Sequence, residues 1–137
     1  MGIKIDITNN IPEVQRKISD VAKNRMMEAV NTVRNTTLET LSGTRSGRQY
    51  YVPGTHKLYT ASAPGEPPAV ATGRLRQSIK SSIETEDDNL VGYVGTDMEY
   101  GKELEYGRHN MEPRPWLRPS FEESEQEVKE IFAREWL

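Results

Sequence analysis

The chain has 137 residues, the length of one domain, so residues 1–137 are expected to form a single domain. Only 34% of the residues are apolar and 28% are charged, which predicts a thin core and a protein that gains stability by assembling. The net charge of −3 argues against nucleic-acid binding over the whole surface. The absence of cysteine excludes disulfides and thiolate metal sites, and no apolar run approaches the roughly 20 residues that span a bilayer, so no membrane partner is expected.

Charge is distributed unevenly along the chain. Residues 42–82 contain six basic residues and a single acid, Glu66, whereas residues 83–112 contain nine acids against Lys102 and Arg108. A basic and an acidic zone on one small chain favour head-to-tail contact between identical subunits. The alternative is that both zones are solvated faces that never meet.

The first 41 residues predict a strand followed by a long helix. Ile3, Ile5 and Ile7 alternate with polar residues, as in a short half-buried strand, although an extended arm is a competing interpretation. Apolar residues then recur with a 3.6-residue period, which predicts an amphipathic helix over residues 11–41 that is closed by Ser42 and Gly43.

Residues 43–71 show no sustained periodicity and are rich in proline and glycine. We expect an extended loop, either disordered or reaching another subunit, in which Tyr50 to Val52 pair briefly as a strand. Whether this loop becomes ordered only on assembly stays open.

The second half of the chain alternates short strands and helices. Thr72 is predicted to cap a turn over residues 73–78, and two weakly alternating segments around the turn residues 86–89 predict a β-hairpin. Asp97 opens a short helix that ends at Gly107, and Pro115 precedes a terminal helix over residues 116–136. The sequence thus predicts an α+β fold with a long N-terminal helix, a small antiparallel sheet with a long Pro/Gly-rich loop, and a C-terminal helix packed on the sheet.

No constellation of residues indicates catalysis, a metal or a cofactor. His56 and His109 stand alone, and no phosphate-binding glycine motif is present. The acids Asp97, Glu99, Glu103 and Glu105 are the nearest approach to a carboxylate cluster, but Lys102 and Arg108 interrupt them. We therefore expect no enzyme, no catalytic residues, no metal site and no cofactor.

Arginines are the more informative candidates, because guanidinium groups bind carboxylates and phosphates in a bidentate manner. They could clamp a neighbouring subunit's acids, contact DNA, or pair within the chain. The candidates for a subunit interface are Arg74, Arg76, Arg114, Arg118, Glu99 and Glu103. Trp116 and Phe121 are expected to anchor the terminal helix, with Trp116 filling the core against the first helix.

The order of several short motifs resembles a family of tailed-phage morphogenesis proteins, the lambdoid siphophage gene-product-ten-like tail components. The resemblance covers about residues 47–121. It rests on Tyr50-Tyr51, Pro64-Gly65-Glu66-Pro67-Pro68-Ala69, Thr72 to Ser78, Val91 to Gly95, Tyr100 to Gly107, and Arg114 to Pro119.

This resemblance implies an α+β fold similar to tail-completion and tail-terminator proteins. It also implies a non-enzymatic virion component at the head–tail neck or tail end, assembled in the host bacterial cytoplasm. Its expected partners are copies of itself in a ring, other phage neck and tail proteins, and DNA passing passively through the lumen. A DNA-binding adaptor that uses the basic residues 42–82 is the main alternative, and a small carboxylate-dependent hydrolase is a third.

Overall fold

A computed structural model describes residues 1–8, 16–87 and 89–135 of the chain. Its elements, in chain order, are β1 (Gly2–Thr8), α1 (Arg16–Thr40), β2 (Gln49–Tyr51), β3 (Leu58–Thr60), α2 (Arg74–Gln77), β4 (Lys80–Glu86), β5 (Asn89–Gly95), α3 (Glu99–Tyr106) and α4 (Leu117–Ala133). The described part of the chain therefore has the predicted α+β class, with four helices and with two small antiparallel sheets where the sequence predicts one.

The larger sheet has three strands in the order β1-β5-β4, and both pairings are antiparallel. The predicted hairpin is confirmed as β4 and β5, and the alternating isoleucines near the N-terminus form strand β1 rather than an unpaired arm. Gly92 lies at the centre of the sheet between Ile5 and Ile83. A Cβ atom at Gly92 would lie 2.5 Å from a methyl group of Val30, so the missing side chain lets α1 approach the sheet closely.

The description of the long helix as N-terminal is wrong, because the chain begins with strand β1, the strand that the alternating isoleucines predict. Helix α1 follows it, begins at Arg16 and ends at Thr40, and the predicted first turns at residues 11–15 lie outside the described residues. Its C-terminus is closed by the hydroxyl of Ser42, which donates to the carbonyl of Leu38. Gly43 does not adopt the left-handed conformation that the predicted glycine cap requires.

The terminal helix is confirmed as α4, but it does not pack on the sheet as predicted. It packs chiefly along α1, and its main contact with the sheet is at the edge strand β1, because α1 already covers β4 and β5. The helix ends at Ala133, three residues before the predicted end, and Trp136 lies outside the described residues.

Both ends of α4 are capped by side chains of the sign that the helix dipole favours. At the N-terminus the carboxylate of Glu105, from α3, accepts hydrogen bonds from the backbone N–H groups of Trp116, Leu117 and Arg118 at 2.8–3.0 Å. At the C-terminus the guanidinium of Arg25, from α1, donates to the carbonyls of Ile131 and Glu135 at 2.9 and 2.6 Å. These bonds fix the position of α4 relative to α1 and α3.

Trp116 is fully buried and is the largest side chain of the core. Its indole Nε1 donates to the carbonyl of Gly101 at 2.9 Å. A Cβ atom on Gly101 would lie 3.1 Å from the Trp116 ring and 2.7 Å from a methyl of Thr96, so only glycine admits the indole here. Phe121 is partly buried and packs against the same core.

Candidate assembly surface

The segment between α1 and α2 is held in place by two charged side chains. The carboxylate of Glu66 accepts hydrogen bonds from the backbone N–H groups of Ala63 and Ser46, at 2.7 and 3.0 Å, and from the Ser46 hydroxyl. The first two of these bonds hold the pKa of Glu66 below its ordinary value of 4.5, so the carboxylate stays ionised well below neutral pH. Arg45 donates to the carbonyls of Pro67 and Pro68, which ties the same loop to the end of α1.

The same segment contains a second hairpin, β2–β3, of which only the first strand is predicted from the sequence. Tyr51 pairs with Leu58 and Tyr50 pairs with Tyr59, so each pair lies on one face of the ribbon. Backbone bonds between Gly47 and Ala61 and between Val52 and Lys57 close its two ends. Its fold is therefore regular, although two strands alone bury little apolar surface.

The two faces of this hairpin differ in their surroundings. The rings of Tyr50 and Tyr59 have centroids 6.2 Å apart and planes tilted by 37°, and both side chains line a cavity against the body of the protein, although Tyr50 remains 49% exposed. The opposite face carries Tyr51 and Leu58, which are 63% and 56% exposed. We call this outward pair the hairpin face. Large apolar side chains that are contiguous and exposed to this degree mark interaction sites more often than single exposed residues do.

Two adjoining cavities, of about 370 and 470 Å³, lie between the hairpin, the loop after it and α3. Tyr59 and Tyr100 line both of them, together with the proline-rich loop. Arg74 and Arg76 border the first cavity, and Arg48 and Arg114 border the second. The first cavity has a mainly apolar lining, and with guanidinium groups at its edge it is suited to receive an apolar side chain flanked by carboxylates.

The structure brings three of the predicted interface arginines to this region. Arg74 and Arg76 are exposed on α2 and form no ion pair with any described residue. Arg114 is half-buried, and its guanidinium donates to the Glu112 carbonyl at 3.2 Å while its backbone N–H bonds to the carbonyl of Leu104. Arg114 therefore has a structural role beside the second cavity.

The remaining predicted interface residues lie elsewhere. Arg118 is exposed on α4 and pairs with Glu122 at 3.5 Å, and Glu103 pairs with Arg108 at 3.0 Å. Glu99 is exposed at the start of α3. Intrachain pairing, the alternative that the sequence left open, thus holds for Arg118 and Glu103, whereas Arg74 and Arg76 have no ion-pair partner in the part of the chain that the structure describes.

The predicted carboxylate cluster is dispersed. Asp97 is exposed and pairs with Lys80, which lowers the pKa of its carboxyl. Glu105 is buried beneath the start of α4 and is the residue that sequence reasoning most clearly misplaced. Within residues 1–8, 16–87 and 89–135, no three His, Cys, Asp or Glu side chains are grouped so that they could hold a metal ion.

A sequence signal for Glu105 did exist. The motif series described above includes Tyr100 to Gly107, which contains Glu105, and Arg114 to Pro119. The carboxylate of Glu105 links these two motifs, because it accepts three hydrogen bonds from backbone N–H groups of the second. Leu58 and Tyr59 follow the turn residues Pro53 and Gly54, which together with Tyr50 and Tyr51 are typical of a hairpin.

No helix in the part of the chain that the structure describes is both long and apolar enough to cross a membrane.

Comparison with known proteins adds one finding. A family model described as "Bacteriophage HK97-gp10, putative tail-component" matches residues 6–107, which is more than half of the chain. No curated protein and no solved structure matches the chain with significance. The matched range contains the hairpin, every residue that lines the first cavity, and α3 up to its C-terminal glycine. The chain therefore belongs to the HK97-gp10-like family of bacteriophage tail components.

Proposed function

We propose that this protein is a structural part of a tailed phage or prophage virion, and that copies of it form a ring at the head–tail neck or tail end. In this role it performs no chemistry and supplies a matched surface on which a filled head and a finished tail join. Membership of a tail-component family supports a place in the virion. The observation that carries the proposal for assembly is the exposed hairpin beside arginine-bordered cavities.

Electrostatics supports contact between unlike surfaces of identical subunits. Arg48, Lys57, Arg74 and Arg76 are exposed on the hairpin and α2, and none has an ion-pair partner among the described residues. Helix α4 displays five exposed glutamates against two basic residues, Arg118 and Lys129. A surface with unpaired cations and another with an excess of acids attract each other when they belong to neighbouring subunits.

Reversal of Arg74 and Arg76 to glutamate is expected to weaken self-association without unfolding the chain. Both side chains are exposed and unpaired, so the fold loses no described interaction, whereas a subunit contact loses two cations. Sedimentation velocity over a concentration series measures the change. In the unmodified protein, association should weaken as salt rises past roughly 0.15 M, where the screening length falls to about 8 Å.

The matched control is the single variant Lys23→Glu, at an exposed position of α1, which is compared with Arg76→Glu because both make the same change in net charge. This control should assemble like the unmodified protein. If the Arg74→Glu/Arg76→Glu variant assembles as well as the unmodified protein, the two arginines do not belong to the subunit interface.

A DNA-binding adaptor is the second candidate, and one observation favours it. The unpaired cations lie beside the exposed rings of Tyr50 and Tyr51, and basic side chains interleaved with aromatics also bind nucleic acid. This function predicts a gel shift of duplex DNA that weakens steeply with salt and is lost in the same arginine variant. The assembly function predicts no shift by the free protein at about 0.15 M salt.

A further inference from the structure

The hairpin face has an apolar counterpart on another side of the same molecule. A groove of about 500 Å³ is bordered by β1, the end of α3 and the start of α4. Its apolar lining comes from Ile3, Tyr106, Leu117 and Phe121, and Lys4 and Arg118 stand at its edges. Tyr106 is 67% exposed, more than any other large apolar side chain of the described residues. We call this the β1–α4 groove.

The hairpin and the β1–α4 groove lie on opposite sides of α3. Tyr100 and Leu104, four residues apart and thus on one face of that helix, line the cavity beneath the hairpin. Tyr106 follows Leu104 by two positions, which is about 200° around the helix axis. The groove shares no lining residue with either cavity beside the hairpin. Each molecule therefore presents two unlike and separate apolar patches.

We propose that the hairpin face of one copy docks in the β1–α4 groove of the next copy. This inference rests on the proposed function and names the surfaces that a ring would use. An isologous dimer needs one patch that complements itself, whereas two unlike patches on opposite sides generate a contact that repeats from subunit to subunit. Tyr51 and Leu58 supply the apolar projection, and Tyr106 and Phe121 supply the apolar receptor.

Charge complementarity selects a second copy as the occupant. Residues 47–61 contain Arg48 and Lys57 and no acid. At the receiving side, each basic residue at the groove edge already has an acid of its own: Lys4 pairs with Glu86 at 3.1 Å, and Arg118 pairs with Glu122. The excess glutamates of α4 continue from the groove along the same helix. A basic hairpin that enters an apolar groove beside an acidic helix satisfies both patches.

Disulfide trapping tests this contact directly, because the chain has no cysteine of its own. Two single variants, Tyr51→Cys and Tyr106→Cys, are mixed in equal amounts and oxidised. The mixture should yield a mixed dimer on non-reducing gels, while each variant alone should stay mainly monomeric. Combining both substitutions in one chain should give a ladder of oligomers, because every subunit then carries both halves of the contact.

The control partner is Met27→Cys, at an exposed position of α1 that is 54% accessible. If Tyr51→Cys couples to Met27→Cys as well as to Tyr106→Cys, the collisions are random and the inference is overturned. A mixture that gives no mixed dimer overturns it as well.

A second variant separates this inference from the proposed function. Leu58→Asp places a charge on the hairpin face, where the exposed side chain contributes little to folding, and should weaken self-association about tenfold or more. If Leu58→Asp assembles normally while Arg74→Glu/Arg76→Glu does not, the proposed ring is retained and the hairpin–groove contact is contradicted. If the unmodified protein stays monomeric at every concentration and no pair of variants is trapped, both proposals fail.

Discussion

Substitution of Trp116 by alanine is expected to destabilise the protein by about 3–5 kcal/mol. The indole is fully buried, and its removal would leave a cavity beside α3 in the core and would leave the carbonyl of Gly101 without its hydrogen bond. Total stabilities of single domains are about 5–15 kcal/mol, so the variant should retain little folded protein at physiological temperature. Urea unfolding followed by circular dichroism measures the loss.

Trp116→Phe separates packing from hydrogen bonding. Phenylalanine keeps most of the apolar contact with Gly101 but has no N–H donor. The loss in free energy of unfolding should therefore be about 1–2 kcal/mol, smaller than for alanine. An alanine variant that unfolds at nearly the same urea concentration as the unmodified protein would contradict the placement of Trp116 in the core.

The second large effect is expected at Glu105. Its buried carboxylate is the acceptor for three backbone N–H groups at the start of α4, and alanine would leave all three without that acceptor. Buried donors that lose their partner cost about 1–3 kcal/mol each, and partial access of water reduces the sum, so we expect a loss of about 3 kcal/mol. The same unfolding measurement applies.

Glu103 provides the matched control, because it lies on the same helix and carries the same charge. Its carboxylate pairs with Arg108 near the surface, so Glu103→Ala should change stability by less than about 1 kcal/mol. Equal effects at the two positions would show that α4 does not depend on a carboxylate cap from α3.

The local elements of the fold could be predicted because their signals are local. The alternating isoleucines of β1, the apolar period of α1 and the turn residues between β4 and β5 each specify a structure within a few residues. Helix α3 likewise ends before Gly107, which has a positive φ of 77°. Because glycine adopts a positive φ readily, its position in the sequence predicts this helix end. Where tertiary contacts decide the outcome, the prediction was less successful.

Glu105 and α4 illustrate that limit. The spacing of charges along residues 97–105 cannot reveal that one carboxylate turns inward to a helix that begins twelve residues later. Periodicity identifies the apolar face of α4 but not whether that face meets α1 or the sheet, because both surfaces are apolar. The three-residue strand β3 is too short to show any period, so its pairing with β2 could only come from the turn between them.

The candidate surface was predicted in part for the same reason. Arg74 and Arg76 were recognised as candidates from their residue type, and both border the first cavity. The hairpin face and the β1–α4 groove were missed, because each is assembled from residues distant in sequence or from a strand with no distinct pattern. Exposure of an apolar side chain is a property of the folded molecule, and sequence alone does not report it.

The assembly role is tested most directly by electron microscopy of lysates from a phage that lacks this gene. If the protein joins a filled head to a finished tail, heads should still package DNA, while tails should be unattached or abnormally ended. Restoring the unmodified gene should restore joined particles, and the Trp116→Ala gene should fail to do so. Normal, infectious particles from a strict deletion would contradict the structural role that we propose.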